Sequence, residues 1–128
     1  MSATVVDASA VAAVLFNEPE AAALVAGVGS TLIAPTLLRY EVASVCTTKL
    51  RRAAGQSAAT LARYALLDQL AIEWVDPDWS SLPRLADEWS LSAYDAAYLQ
   101  IALAHAVPLI TLDAHLATAH DLARSRRG

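Results

Sequence analysis

One cysteine, one lysine and four glycines stand among 128 residues, and each scarcity removes a class of protein. Cys46 alone cannot close an intramolecular disulfide or build a thiolate metal site, so a disulfide-stapled scaffold and a cysteine-rich zinc module are excluded. Its place in a helical apolar pattern reads as a small core residue, and a reducing, cytoplasmic setting is the expectation. Glycine and proline are few and scattered, with no low-complexity run and no internal repeat at solenoid periods. No uninterrupted apolar run is long enough to span a bilayer. The opening Met-Ser-Ala-Thr-Val-Val-Asp lacks a basic stretch followed by an apolar one, so neither membrane insertion nor export is expected.

Apolar residues are plentiful. A hydrophobic content of 56% over 128 residues supplies one core, and residues 1–128 are read as a single domain. Nine basic against thirteen acidic residues give a net charge of -4, which provides no general field for capturing phosphates. The basic residues are clustered, however: Lys49, Arg51 and Arg52 end one helical pattern, and Arg124, Arg126 and Arg127 crowd the C-terminus.

Periodicity gives the organisation. Thr4 to Val6 is a β-branched run ending at Asp7, and Ser9 to Leu15 follows with helical spacing. A short helix over Glu20 to Ala26 leads to a strand at Thr31 to Ala34, stopped by Pro35. A long helix from about Thr36 to Arg52 carries Leu37, Leu38, Val42, Val45, Cys46 and Leu50 as its apolar stripe. Ser57 is expected to cap a helix reaching about Leu70, and Glu73 to Val75 forms a brief strand. Helices are then expected between Trp79 and Leu91 and from Ser92 to about His105. A strand over Leu109 to Leu112 ends at Asp113, and a last helix covers Ala114 to about Ala123. Such alternation predicts an α/β domain, a three-layer sandwich around a mainly parallel sheet of four or five strands, with ligands beyond the carboxyl ends of the strands.

Four acids fall where such a fold gathers chemistry. Asp7 and Asp113 each end an apolar strand, although each also precedes a helix and reads equally well as an N-cap. Asp95 fits the capping-box pattern begun by Ser92, yet it shares a helix face with Leu99, Ala102 and Leu103. Glu41 is the informative one, because it lies in mid-helix within the apolar stripe, where no cap is needed. A carboxylate there requires compensation, by a salt bridge with Arg39 or Arg63 or by a cation shared with the other acids. Oxygen-rich clusters suit Mg²⁺ or Mn²⁺, and such ions promote phosphodiester hydrolysis. The hydroxyls of Ser9 and Thr111 stand two residues from Asp7 and Asp113, as site groups or as ordinary strand and cap hydroxyls. His105, His115 and His120 lack the spacing of a helical zinc site, and Trp74, Trp79 and Trp89 read as core or interface aromatics.

The pieces Val5-Val6-Asp7-Ala8-Ser9, Tyr40-Glu41-Val42-Ala43, Tyr94-Asp95-Ala96-Ala97-Tyr98 and Leu109-Ile110-Thr111-Leu112-Asp113, taken in order, resemble the PIN-domain nucleases, especially the VapC-type toxins of toxin–antitoxin pairs. The resemblance spans nearly the whole chain. It implies a sheet flanked by helices, Mg²⁺ or Mn²⁺ held by Asp7, Glu41, Asp95 and Asp113, a supporting role for Thr111, and endonucleolytic cleavage of RNA. It also implies a homodimer and inhibition by a small VapB-type antitoxin. Many relatives finish with a further short strand. The ending Asp-Leu-Ala-Arg-Ser-Arg-Arg-Gly has no β-branched residue, so that strand is expected to be missing.

Other readings fit less well. A response-regulator receiver needs a lysine after its last strand, and the lone lysine is Lys49. A haloacid-type phosphatase wants a second Asp two residues after the first, where Ser9 stands. A non-catalytic module on the same fold would not need the full acid set, and a nuclease for DNA or flap structures is the remaining alternative, since no residue is seen to read a 2′-hydroxyl.

Overall fold

The computed structural model describes residues 2–26, 29 and 31–127. Four short strands, β1 (Ala3–Val6), β2 (Thr31–Ala34), β3 (Ile72–Trp74) and β4 (Leu109–Ile110), form one sheet in the order β3-β2-β1-β4. All three pairings are parallel, with Val5 opposite Ile33 on one side and opposite Leu109 on the other. The sheet is therefore wholly parallel and four-stranded.

Parallel neighbours require crossovers, and the helices supply them: α1 (Ala8–Leu15) and α2 (Ala21–Ala26) between β1 and β2, α3 (Leu37–Arg52) and α4 (Ser57–Ala65) between β2 and β3, α5 (Leu82–Trp89) and α6 (Ala93–His105) between β3 and β4. The first two crossovers step one way along the sheet and the third returns across it. Right-handedness then puts the first two on one face and the third on the other. The packing agrees, since α1 lies against α2 and α3, whereas α6 lies against α5, β1 and the final helix α7 (Ala114–Arg127). The direction of progression reverses between β1 and β4. That is the switch point at which open α/β sheets leave a crevice beyond their strand ends.

The core explains why these helices dock. On α3 the fully covered positions are Leu38, Val42 and Cys46, four residues apart, and on α6 they include Tyr98, Leu99, Ile101 and Ala102. Burying a side chain as large as Leu38 or Leu99 stabilises by about 1.5–3 kcal/mol. Cys46 apart, these α3 and α6 side chains share one cluster with Val5 and Val6 of β1 and Leu116 of α7.

Several expected boundaries move. Ser57 does not cap a helix reaching Leu70: its hydroxyl donates to the Ala54 carbonyl, and α4 stops at Ala65 before a 3-10 turn over Leu66–Gln69. A 3-10 turn, Trp79–Ser81, also precedes α5. β4 is half its expected length, because the backbone N–H groups of Leu112 and Asp113 bond to side-chain hydroxyls instead of to a neighbouring strand. The last helix runs to Arg127, four residues beyond the expected Ala123, and no fifth strand forms among the described residues.

Candidate active site

β1 delivers Asp7 to the crevice, and the local sequence holds it there. Asp7 is the N-cap of α1 and only 5% exposed. Its Oδ1 accepts the Ala10 N–H at 3.0 Å and the Ser9 hydroxyl at 2.7 Å, while its Oδ2 accepts the Thr111 hydroxyl. A cap requires only the first of these bonds. The Thr111 bond ties the end of β1 to the segment after β4, and Ser9, which donates locally to Asp7, adds a second tie by accepting the Leu112 N–H at 2.9 Å. Both hydroxyl protons are committed to Asp7, so the 3.3 Å separation of Ser9 Oγ and Thr111 Oγ1 is proximity and not a further bond.

Asp113 is anchored by the same segment. Its N–H donates to Thr111 Oγ1 at 3.0 Å, and its Oδ1 accepts the N–H groups of His115 and Leu116 at 2.9 and 3.1 Å. It is thus the N-terminal cap of α7, and its side chain is exposed. Thr111 bridges the two strand-end acids by donating to one and accepting from the backbone of the other.

Glu41 enters from α3. Neither Arg39 nor Arg63 compensates it: Arg39 lies 3.5 Å from Asp68 and stacks over Trp74. The partner is Tyr98, whose hydroxyl donates to Glu41 Oε1 at 2.6 Å across 57 residues of chain. Tyr98 is 1% exposed, and burial, followed by the bond to Glu41, pushes its phenol well above the ordinary range. It therefore acts as a permanent donor. Burial pushes the Glu41 carboxyl up, and the charges of Asp95 and Asp7 push it further, against the opposing Tyr98 bond.

Asp95 comes from the first turn of α6, where its N–H donates to the N-cap Ser92 at 3.0 Å. Burial raises its pKa first, then the charges of Asp113 and Asp7, while Ser92 and His115 oppose the rise. His115 is exposed, and its Nε2 sits 3.1 Å from the Ser90 carbonyl.

Asp7, Glu41, Asp95 and Asp113 thus share one electrostatic neighbourhood. An all-oxygen donor set of this kind suits Mg²⁺ or Mn²⁺. Among the described residues, no three of these groups close around a common point as a ready coordination sphere. Asp7 and Asp113 are engaged with hydroxyls and backbone N–H groups, and Glu41 with a phenol. The residues fit the ion in chemistry and charge.

Two parts of the site escape a reading of periodicity. Tyr98 stands on the apolar face of α6 and looks like core, although a hydroxyl three residues after an acid on one helix was a usable signal. The pairing of Ser9 with the segment after β4 joins residues more than a hundred positions apart.

Among curated proteins no sequence matches. Among solved structures, the chain is similar to the PAE2754 protein of Pyrobaculum aerophilum at 23% identity and a TM-score of 0.74, covering 98% of this chain and 96% of that one. This likeness concerns the fold. The family model described as "PIN domain" matches residues 4–122, which takes in all four acids. The chain accordingly belongs to the PIN domain family, whose members are generally nucleases.

Proposed function

We propose that this chain is a Mg²⁺- or Mn²⁺-dependent endoribonuclease of the VapC toxin type, working as a homodimer and restrained by a VapB-type antitoxin. The observation that carries the catalytic part is the gathering of four carboxylates beyond the carboxyl ends of the strands at the switch point of the sheet. There burial, and further the neighbouring acids, raise the pKa values of Glu41 and Asp95, a cost that a divalent cation would relieve. RNA as substrate, the toxin role and both partners rest on the family resemblance.

The four acids would hold the ion. When bound, it would supply positive charge for the phosphate and acidify a water for attack. The remaining work belongs to the chain. Thr111 and Ser9 fix both oxygens of Asp7, and Tyr98 fixes Glu41, so each carboxylate presents a set orientation without rotamer search. Glu41 and Asp95, whose raised pKa values leave a larger protonated fraction than ordinary acids hold, would give up those protons if the ion bound.

Incubating purified chain with RNA and Mn²⁺, beside an Asp7→Asn control, tests the reading. RNA cleavage that needs Mn²⁺ and vanishes in the control is expected; mapping new 5′ ends after induced expression would then identify the target. Cleavage equal in both proteins, or of DNA alone, would contradict it.

A further inference from the structure

A second polar site lies at the other end of the sheet. Val107 precedes β4 at the amino ends of the parallel strands, whereas the carboxylates lie beyond the opposite ends. There a cavity of about 210 Å³ opens between α6 and α7, with Ala102, Ala106 and Val107 on one wall and His120, Arg124 and Arg127 on the other. The spacing i, i+4, i+7 puts these three nitrogen-bearing side chains on one face of α7.

His120 is the unusual member. It is 4% exposed, and its Nε2 has no hydrogen-bond partner among the described residues. A buried polar atom left unpaired is costly, so most are satisfied by protein, water or ligand. Exposed guanidiniums stand beside it. Arg126 stacks over Trp89, but Arg124 and Arg127 have neither an ion pair nor a ring partner among the described residues.

We propose that this cavity binds a phosphate group, with His120 Nε2–H donating to one oxygen and Arg124 and Arg127 supplying the balancing charge. Two guanidiniums are needed because the carbonyl end of α6 opposes an anion there. Burial chiefly, with Arg124 adding, lowers the His120 pKa against the Val107 carbonyl and Asp121. The neutral ring then has a single proton to place, and a bound oxyanion fixes it on Nε2. Two acceptors compete for that proton: the Val107 carbonyl, and more weakly Asp121, whose Oδ1 is 3.8 Å from Nδ1 and whose side chain is largely in solvent. The phosphate source is either a free phosphate compound or the backbone of an RNA that also reaches the carboxylates.

Inorganic phosphate titrated into the full chain, followed by calorimetry and by the His120 ring resonances, tests the site. Saturable one-site binding with a shift at Nε2 is expected, weakened at least about tenfold in Arg124→Ala and in His120→Gln. No saturable binding at millimolar phosphate, or equal binding in wild type and a folded Arg124→Ala, would overturn it. Should the variants not fold, an unmoved His120 resonance in wild type would do the same. A single-stranded RNA oligonucleotide bound to Asp7→Asn then separates the sources. Weakening of RNA binding by added Arg124→Ala assigns the site to the RNA backbone, whereas unchanged RNA binding beside lost phosphate binding assigns it to a free phosphate compound. Both outcomes keep the site.

Discussion

Glu41 and Asp95 are held at the expense of stability. Their carboxyl groups have raised pKa values, so the folded chain binds their protons more tightly than the unfolded chain does. Stability therefore falls as pH rises: the loss begins near the ordinary values of 4.5 and 3.8 and is complete above the raised ones. Glu41→Gln keeps an acceptor for Tyr98 while removing the charge. In chelator at pH 7.5 it is expected to raise Tm by roughly 1–3 °C, because solvent screens much of the repulsion, with the gain vanishing near pH 4. Metal-dependent cleavage should be lost in the same variant. Thr111→Val tests the other anchor: with Asp7 Oδ2 and the Asp113 N–H losing their partner, activity should fall about 10–100-fold while the fold persists by circular dichroism. The acids themselves are legible in the sequence because strand ends and a charge in an apolar stripe are local patterns. Tyr98 and the Ser9 to Thr111 latch are not, since each depends on which distant element packs alongside.

At the scale of elements, strong periodicity with caps read well and weak hydrogen-bonding edges read poorly. α3 and α6 fall within a residue of expectation, the first through Leu38, Val42 and Cys46, the second through its Ser92 cap. β4 loses half its length because Thr111 and Ser9 satisfy backbone groups that a longer strand would have paired, and composition does not register that competition. The helix expected to end near Leu70 stops at Ala65, where the chain tightens into the 3-10 turn Leu66–Gln69 that carries Leu67 into the core. Ser92→Ala removes both the cap of α6 and the group that favours ionised Asp95. Chemical denaturation should show a loss of about 1 kcal/mol. Metal affinity should weaken as well, which a cap remote from a site would not cause.

For the whole molecule, the order β3-β2-β1-β4 explains why acids so far apart in sequence are carried to one end of the sheet. Asp7 directly follows β1 and Asp113 lies three residues beyond the adjacent β4 at the point of reversal, and α3 and α6 bring Glu41 and Asp95 in from the two helical layers. Alternation of strands and helices predicted the class of fold; strand order is a non-local property that only the parallel register reveals. The C-terminal basic cluster, legible as composition, resolves into unlike roles: Arg126 covers Trp89, and Arg124 lines the His120 cavity. Light scattering should give twice the 13.5 kDa chain mass if the proposed homodimer forms, and a single chain mass at micromolar concentration would count against it.

Mn²⁺ binding by calorimetry, on wild type and Asp95→Asn, tests the central claim without knowledge of the RNA. Stoichiometric binding with proton release in the wild type, lost or greatly weakened in Asp95→Asn, is the expected result. Absence of binding in a folded wild type, or equal binding in both proteins, would contradict a metal at the carboxylates.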